Sequence, residues 1–599
     1  MPHTKKHKRI TWIVVILVVV VFLGGGALHL FYAPPVTIEV SPETTYITEP
    51  LKPDGLPDYA KYLNDRLRPE GVTPETNGVV AALRGFGGDG INSEIRDACL
   101  RELGLTELPP DSPAPVYIED FFETIDPELT MAIPEDFDRE KWNDEIGRDR
   151  LDPFAPTPPK SETPDEDGPA WDPEQDAWQL TKERVEEARR TGEKILPVYK
   201  YCQFLYGVTA ADRYYFYDLP TGVQKDYLAA QRDMFRHLHE AVDRPHWYLP
   251  MLEHPDGYLT NTFVINDYRM AAKILLASIC HRIQQGDGEG AKRDIVLGYR
   301  LAHRVAGEGF AIDYLVALAM RAIVNAAAFD IVKYGEFAPD ELKAIRRAIA
   351  QLPPFPDYIS AIERDRFVAL DSICNQDRSR RDLEELLGHF FISSSPPEDE
   401  MLPRLLRVRL QHNIAMRAVN ETCDRTLSTL KTTTGLDRRN RLRSYADAYE
   451  RRRDRLMERL NSQWGQVTLL LMGQARRRRL FSEMHGQMTS AVMAANIEDS
   501  RLSLRVNNDL LLTGLALAEY RARRGEYPER LEALAPDYLD AVPNDRFLPT
   551  PTPLTYRRHE NGFSLYSVGR NGVDDGGRPD DHSQQDIELL VNPPKREEG

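Results

Sequence analysis

Cysteine is sparse in this chain and falls without pattern. Cys99, Cys202, Cys280, Cys374 and Cys423 are odd in number and far apart, so they outline neither a zinc spacing nor a disulfide framework. Buried free thiols are the plainer reading, with a bridge or two left open in an oxidising compartment. Positive charge is also in deficit. Lys and Arg total 76 against 94 Asp and Glu, a formal net charge of -18, and a phosphate backbone would be repelled, which argues against a nucleic-acid partner.

Catalytic signatures are missing as well. There is no G-x-S-x-G, no P-loop and no Cys/His arrangement. Gly85-Phe86-Gly87-Gly88-Asp89-Gly90 spells G-x-G-x-x-G, but it follows a predicted helix and no βαβ unit surrounds it. Its glycines therefore do not set a helix N-terminus against a pyrophosphate. His237 with His239 and His246 with His254 are the densest histidine groupings, and they lack a glutamate at metalloprotease spacing. Glu186 and Arg190 read as an i,i+4 pair on a charged helix face. A composite carboxylate pair, for instance Asp313 with Glu363, is the opening left for an enzyme; no catalytic residue is assigned, and the chain reads as a non-enzyme.

Only one long apolar run is free of charge. Ile10 to Tyr32 contains no Asp, Glu, Lys or Arg, enough helix to cross a bilayer while satisfying its own backbone. Lys5, Lys6, Lys8 and Arg9 precede it and the next acidic residue is Glu39, so the expected orientation is N-terminus in and bulk out, at the inner membrane. A cleaved signal peptide ending near Gly24-Gly25-Gly26 is the alternative. The mostly apolar continuation from Ala27 to Ala33 favours a retained anchor held in lipid. Phe310 to Val332 is also apolar but carries Asp313, Arg321 and Asp330, which predicts a buried helix.

The remainder divides by composition. After a basic tail (1–9) and the membrane helix (10–32), residues 33–105 read as a mixed membrane-proximal region, with helices expected over Asp58 to Leu67 and Thr76 to Leu83. Residues 106–175 are acidic and proline-rich, with too little apolar surface to offset chain entropy. Helical periodicity governs 176–506, including Tyr227 to Val242, Met270 to Gln285, Ala291 to Val305, Leu315 to Val332 and Asp340 to Leu352. The turn Gly286-Asp287-Gly288-Glu289-Gly290 joins two of these, so a tetratricopeptide-like helical hairpin is expected, without a clear repeat. The arginine-rich stretch Arg438 to Arg459 and the cluster Arg476 to Arg479 read as a solvated face paired with Asp447, Glu450, Asp454 and Glu458. The alternative is a docking surface for anionic lipid headgroups or for the acidic segment.

Residues 507–592 change character. A helix from Asn507 to Arg524 should stop at Gly525 and Tyr527-Pro528, followed by a short helix to Leu534. Strands are expected around Leu554 to Arg557 and over Phe563 to Val568, joined by His559-Glu560-Asn561-Gly562, where Asn-Gly accepts positive φ. Gly525-Glu526-Tyr527-Pro528, Leu531, Leu534 and Ala535, Tyr538-Leu539, Val542-Pro543, Asp545, and Leu565-Tyr566-Ser567-Val568-Gly569-Arg570-Asn571-Gly572 with Asp586-Ile587 occur in that order. This order resembles the C-terminal half of the major pseudopilin of type II secretion systems, over roughly the last 90 residues. The resemblance implies a small α+β domain and a calcium site in the loop after the Tyr-Ser-x-Gly strand. Its ligands would be Asn571, Asp574, Asp575, Asp581 and Asp586, hard oxygen donors beside Gly572, Gly576 and Gly577. Asn571 stands where the family has aspartate, which removes one charge.

The N-terminus differs from a pseudopilin. No Gly-Phe junction meets the membrane helix, no glutamate sits five residues into it, and more than 450 residues separate Tyr32 from Asn507. The chain therefore reads as a mainly α membrane-anchored scaffold that binds an envelope protein. A part in a secretion or pilus-like assembly is the alternative, because function belongs to sites and not to folds.

Overall fold

The computed structural model describes residues 37–87, 91, 93–107, 221–255, 258–261, 264–375, 411–462, 464, 474–560, 562–576 and 587–591. The basic tail 1–9, the membrane helix expected over 10–32 and all but the first two residues of the acidic segment lie outside them, as does the expected start of the helical domain through residue 220. The described chain is mainly α with a small sheet content.

Residues 33–105 supply α1 (Tyr59–Leu67), α2 (Gly78–Gly85) and α3 (Ser93–Glu102). Side chains start the first two: Asp58 accepts from the Lys61 amide at 2.9 Å and Asn77 from the Val79 amide at 3.1 Å. Gly85 ends α2, so the first glycines of the G-x-G-x-x-G string close a helix, as their context implied. The helix expected from Tyr227 to Val242 is two, α4 (Thr221–Ala230) and α5 (Arg232–Asp243). Gln231 divides them as the N-cap residue of α5, its carbonyl taking the Phe235 amide at 3.0 Å. α2 lies on α5 at close range because Gly78 has no side chain; a Cβ there would stand 2.4 Å from the Ala241 carbonyl oxygen.

After a two-stranded antiparallel hairpin, β1 (Leu252–Glu253) with β2 (Leu259–Thr260), come α6 (Ile265–Gln284) and α7 (Gly288–Glu308). Gly286 turns between them at φ +66°, and Asp287 caps α7 by accepting from the Gly290 amide at 2.9 Å. The next helices are α8 (Ala311–Tyr334), α9 (Pro339–Ala350), α10 (Ile359–Asn375), α11 (His412–Thr432), α12 (Gly435–Asn461) and α13 (Gln474–Arg524).

Among the described residues α8 alone is long and apolar enough to cross a bilayer, and most of it is buried inside the fold. Its polar residues have internal partners: the Arg321 guanidinium lies 3.3 Å from the Tyr299 ring centroid and donates to Asn508 at 3.2 Å, while the Tyr299 hydroxyl donates to Asn325. α8 is thus the central helix of the core, packed on α6, α7 and α13.

The helix expected to begin at Asn507 begins at Gln474, so α13 runs 51 residues, roughly 75 Å. It crosses the boundary placed at 506/507 and belongs to both the helical body and the C-terminal module. It stops where expected, at Gly525 (φ +86°), whose amide donates to the Arg521 carbonyl at 2.7 Å. Leu531–Leu534 is a single 3-10 turn. β3 (Thr555–Arg558) and β4 (Phe563–Ser567) pair antiparallel, and a third strand, β5 (Ile587–Val591), pairs with β4 in the order β3-β4-β5.

The sheet has no core of its own. Leu531, Leu534, Phe563, Leu565, Leu589 and Val591 join the same apolar cluster as α2, α6, α8 and α13. β5 reaches α13 at Gly514, where a Cβ would stand 2.4 Å from Leu589 Cδ2. A second, smaller cluster holds the N-terminal part of the described chain: Ile47, Tyr59 and Leu63 pack with Phe367, Leu370 and Ile373 of α10 and with Met416 and Val419 of α11.

Candidate calcium loop and its arginine seam

The loop that follows β4 is built on Asp545. This buried carboxylate accepts from the Phe547 amide (2.9 Å) and the Ser567 hydroxyl (2.8 Å) through Oδ1, and from the Val568 amide (2.8 Å) through Oδ2. Three satisfied bonds fix the point where the strand ends, which gives a physical reason for Asp545 and Ser567 in the ordered motif. Gly569, Gly572 and Gly576 then take positive φ of 64°, 70° and 90°.

Of the five expected ligands, Asn571, Asp574 and Asp575 come together in this loop, and Asp581 and Asp586 lie outside the described residues. The three are engaged with the loop itself. Asn571 accepts from the Val573 amide at 3.0 Å and donates its side-chain amide to Asp575 at 2.9 Å. Asp574 Oδ1 accepts from the Tyr566 hydroxyl at 3.0 Å and from the Gly576 amide at 2.9 Å. Among the described residues no group of three or more His, Cys, Asp or Glu is placed to hold a metal. Calcium takes six to eight oxygens; the described part of the loop supplies two carboxylates, both hydrogen-bonded within the loop.

Arg570 ties this loop to the helical body. Its Nε lies 3.4 Å from the Ser503 hydroxyl on α13, and burial pulls its pKa down, with Arg439 and Arg443 adding to the effect and Asp499 opposing it. Asp499, itself buried, accepts from Arg439 Nε at 2.6 Å and from Arg443. The neighbouring Arg438 bonds Asp357 at 3.0 Å and the carbonyls of Thr433 (2.9 Å) and Leu430 (2.6 Å). Arg501 stands 3.4 Å from Asp357 and 3.7 Å from Glu498, whose pKa burial raises against the pull of both arginines. Arg546 forks onto Asp509 at 2.6 and 3.1 Å.

The arginine run is therefore not simply a solvated face. Its first turns point inward, onto carboxylates of α13 some sixty positions away, because burying Glu498 and Asp499 requires cations beside them. Of the expected intrahelical partners Asp447, Glu450, Asp454 and Glu458, only Asp454 takes an arginine among the described residues, from Arg453 at 2.9 Å.

The other groupings are also resolved by position. Glu363 pairs with Lys431 at the surface (3.0 Å), and the carboxylate near Asp313 is Asp365. Asp313 accepts from the Phe310 amide (2.7 Å) and Asp365 from the Ala311 amide (3.1 Å), so both hold the start of α8; burial pushes each up to about 7. His237 turns to Glu240 (3.6 Å), and His254 to Glu94 (3.0 Å) while stacking on Tyr258, so neither sequence pair forms a site. Cys99, Cys280, Cys374 and Cys423 are buried, with no disulfide among them. No protein-family model matches the chain, and no curated protein or solved structure matches it either.

Proposed function

We propose that this chain is an interaction scaffold of the bacterial envelope, tethered in the inner membrane by Ile10 to Tyr32 with its bulk on the outer side. One observation carries the reading: both ends of the described chain are fastened to the same helical body. Asn413 of α11 donates to the Thr37 carbonyl at 3.1 Å and accepts from the Glu39 amide at 3.0 Å. Five residues from Tyr32 to Thr37 span at most about 18 Å. A membrane helix ending at Tyr32 would therefore hold the body close against the bilayer, with α11 toward it and the tetratricopeptide-like hairpin α6–α7 and the pseudopilin-like module available to an envelope protein.

Crosslinking the full chain in native envelopes tests this. A discrete protein partner recovered reproducibly is the expected result, and crosslinks to lipid or to the chain alone would contradict it. A second reading, participation in a type II secretion or pilus-like assembly, is favoured by the ordered C-terminal motif. It requires that secretin and secretion-ATPase components accompany the chain in the same experiment.

Calcium in the 571–586 loop belongs to the same proposal. Because the module shares its core with the helices, the test uses the full chain. Millimolar calcium should raise the unfolding midpoint relative to chelator, since a ligand that binds only the folded state stabilises it. Equal midpoints retire the site.

A further inference from the structure

Away from the C-terminal module, α4, α5, α6 and α7 enclose a cleft of about 560 Å³ whose charge runs opposite to that of the chain. Lys225, Arg232, Arg282 and Arg293 line it, with Asp294 as the one lining carboxylate. Asp294 is buried and already satisfied: its Oδ2 accepts from Ser278 at 2.7 Å and from Arg282 Nε at 2.5 Å, and Arg293 lies 3.6 Å from Oδ1. Arg282 is held in turn by Asp287 at 2.5 Å. These bonds leave Arg282 fixed in place and Arg293 more than half exposed at the rim.

Lys225 and Arg232 are exposed and form no ion pair among the described residues. Like charges facing one concavity repel, and a net charge of -18 offers many acids that could have neutralised them. Two imidazoles stand beside these cations, each with its pKa lowered chiefly by burial. The His281 ring nitrogen Nδ1 stands 2.7 Å from Gln224 Oε1, and His239 lines the opposite side near Asp294 and Arg293. An anion entering the cleft would meet cations from both hairpins, while Leu228, Ala229 and Phe235 form an apolar wall beside them. The volume is that of a small-molecule pocket.

We infer that this cleft binds a small organic phosphate, its phosphate group held by Lys225, Arg232 and Arg293 and its carbon part laid against Phe235 and Leu228. Several cations lining one cleft suit a doubly charged phosphate better than a single carboxylate, and arginine forks match its oxygens. The same group is carried by soluble phosphate esters and by phospholipid headgroups, and the two sources can be told apart.

Titration calorimetry on the full chain in detergent, with phenyl phosphate and with dihexanoyl phosphatidylglycerol as separate probes and acetate as control, tests the inference. Either phosphate probe should bind and acetate should not, and the probe that binds identifies the source. The double variant Lys225→Ala with Arg232→Ala removes two exposed side chains that have no ion-pair partner among the described residues to orphan. It should keep the parent's unfolding midpoint and weaken the bound probe by roughly a hundredfold, about tenfold for each charge-assisted bond. No binding of either probe by the parent chain, or equal binding by the double variant, overturns the assignment.

Discussion

The two ends of the described chain meet the helical body by different physical means. Residues 37–67 lie on α10 and α11 through a small separate apolar cluster and through hydrogen bonds such as Asn420 to the Thr44 and Glu43 carbonyls at 2.9 and 3.1 Å. The C-terminal sheet instead continues the main core, and two arginines of its module reach α13, Arg546 at Asp509 and Arg570 beside Ser503, near the Asp499 pairs that join α12 to α13. An attachment made of a small cluster can open locally, whereas one that shares the main core opens only with the whole.

The largest effect that would break this contrast is expected at Asp499. Asp499→Asn leaves three arginines around a neutral amide, and denaturant unfolding should report a loss of about 4 kcal/mol for the whole body. Leu589→Ala tests the apolar half of the same attachment. It opens a cavity against Gly514 of α13 and should cost about 3 kcal/mol in one transition; a separate early transition for the sheet would show that the module stands alone.

A pH series sharpens the comparison at α10, the seat of the N-terminal strap. Asp365 titrates at about 7 in the folded chain against 3.8 unfolded, because of burial. Between those values the unfolded chain has released the proton and the folded chain has kept it, so stability falls as pH rises from about 4 to about 7 and levels above. Asp365→Asn removes that share of the decline, measured as a smaller difference between melts at pH 5 and pH 8. The smallest effect belongs to the strap. Asn420→Ala should cost about 1 kcal/mol and raise amide exchange over residues 39–47 while leaving β4 unchanged.

Much of this arrangement is legible in the sequence, and the gaps have reasons. Helical spacing on either side of Gly286, the Gly525 stop and the Asn561-Gly562 turn are local signals, and α6, α7, the end of α13 and the β3-β4 pair follow them closely. Charge placement is not local. Arg438, Arg439 and Arg443 look solvated until α13 brings Glu498 and Asp499 against them, and the pairing of Asp313 lies with Asp365 rather than Glu363 for the same reason. β5 carries no local signal because its pairing with β4 joins residues twenty or more positions apart, and the start of α13 carries no apolar stripe where Arg476 to Arg479 stand in a row. The basic cleft is assembled from two hairpins, so His239 reads in sequence as half of a pair with His237, although the two side chains turn to different neighbours.

The central claim is that the helical body and the C-terminal sheet fold and open as one unit. Native-state hydrogen exchange on the full chain measures this directly. The amides of Phe563–Ser567 and those in the centres of α8 and α13 should exchange with one common opening free energy, equal to that of global unfolding, and residues 39–47 with a lower one. A β4 that exchanges well before α13 would contradict the account.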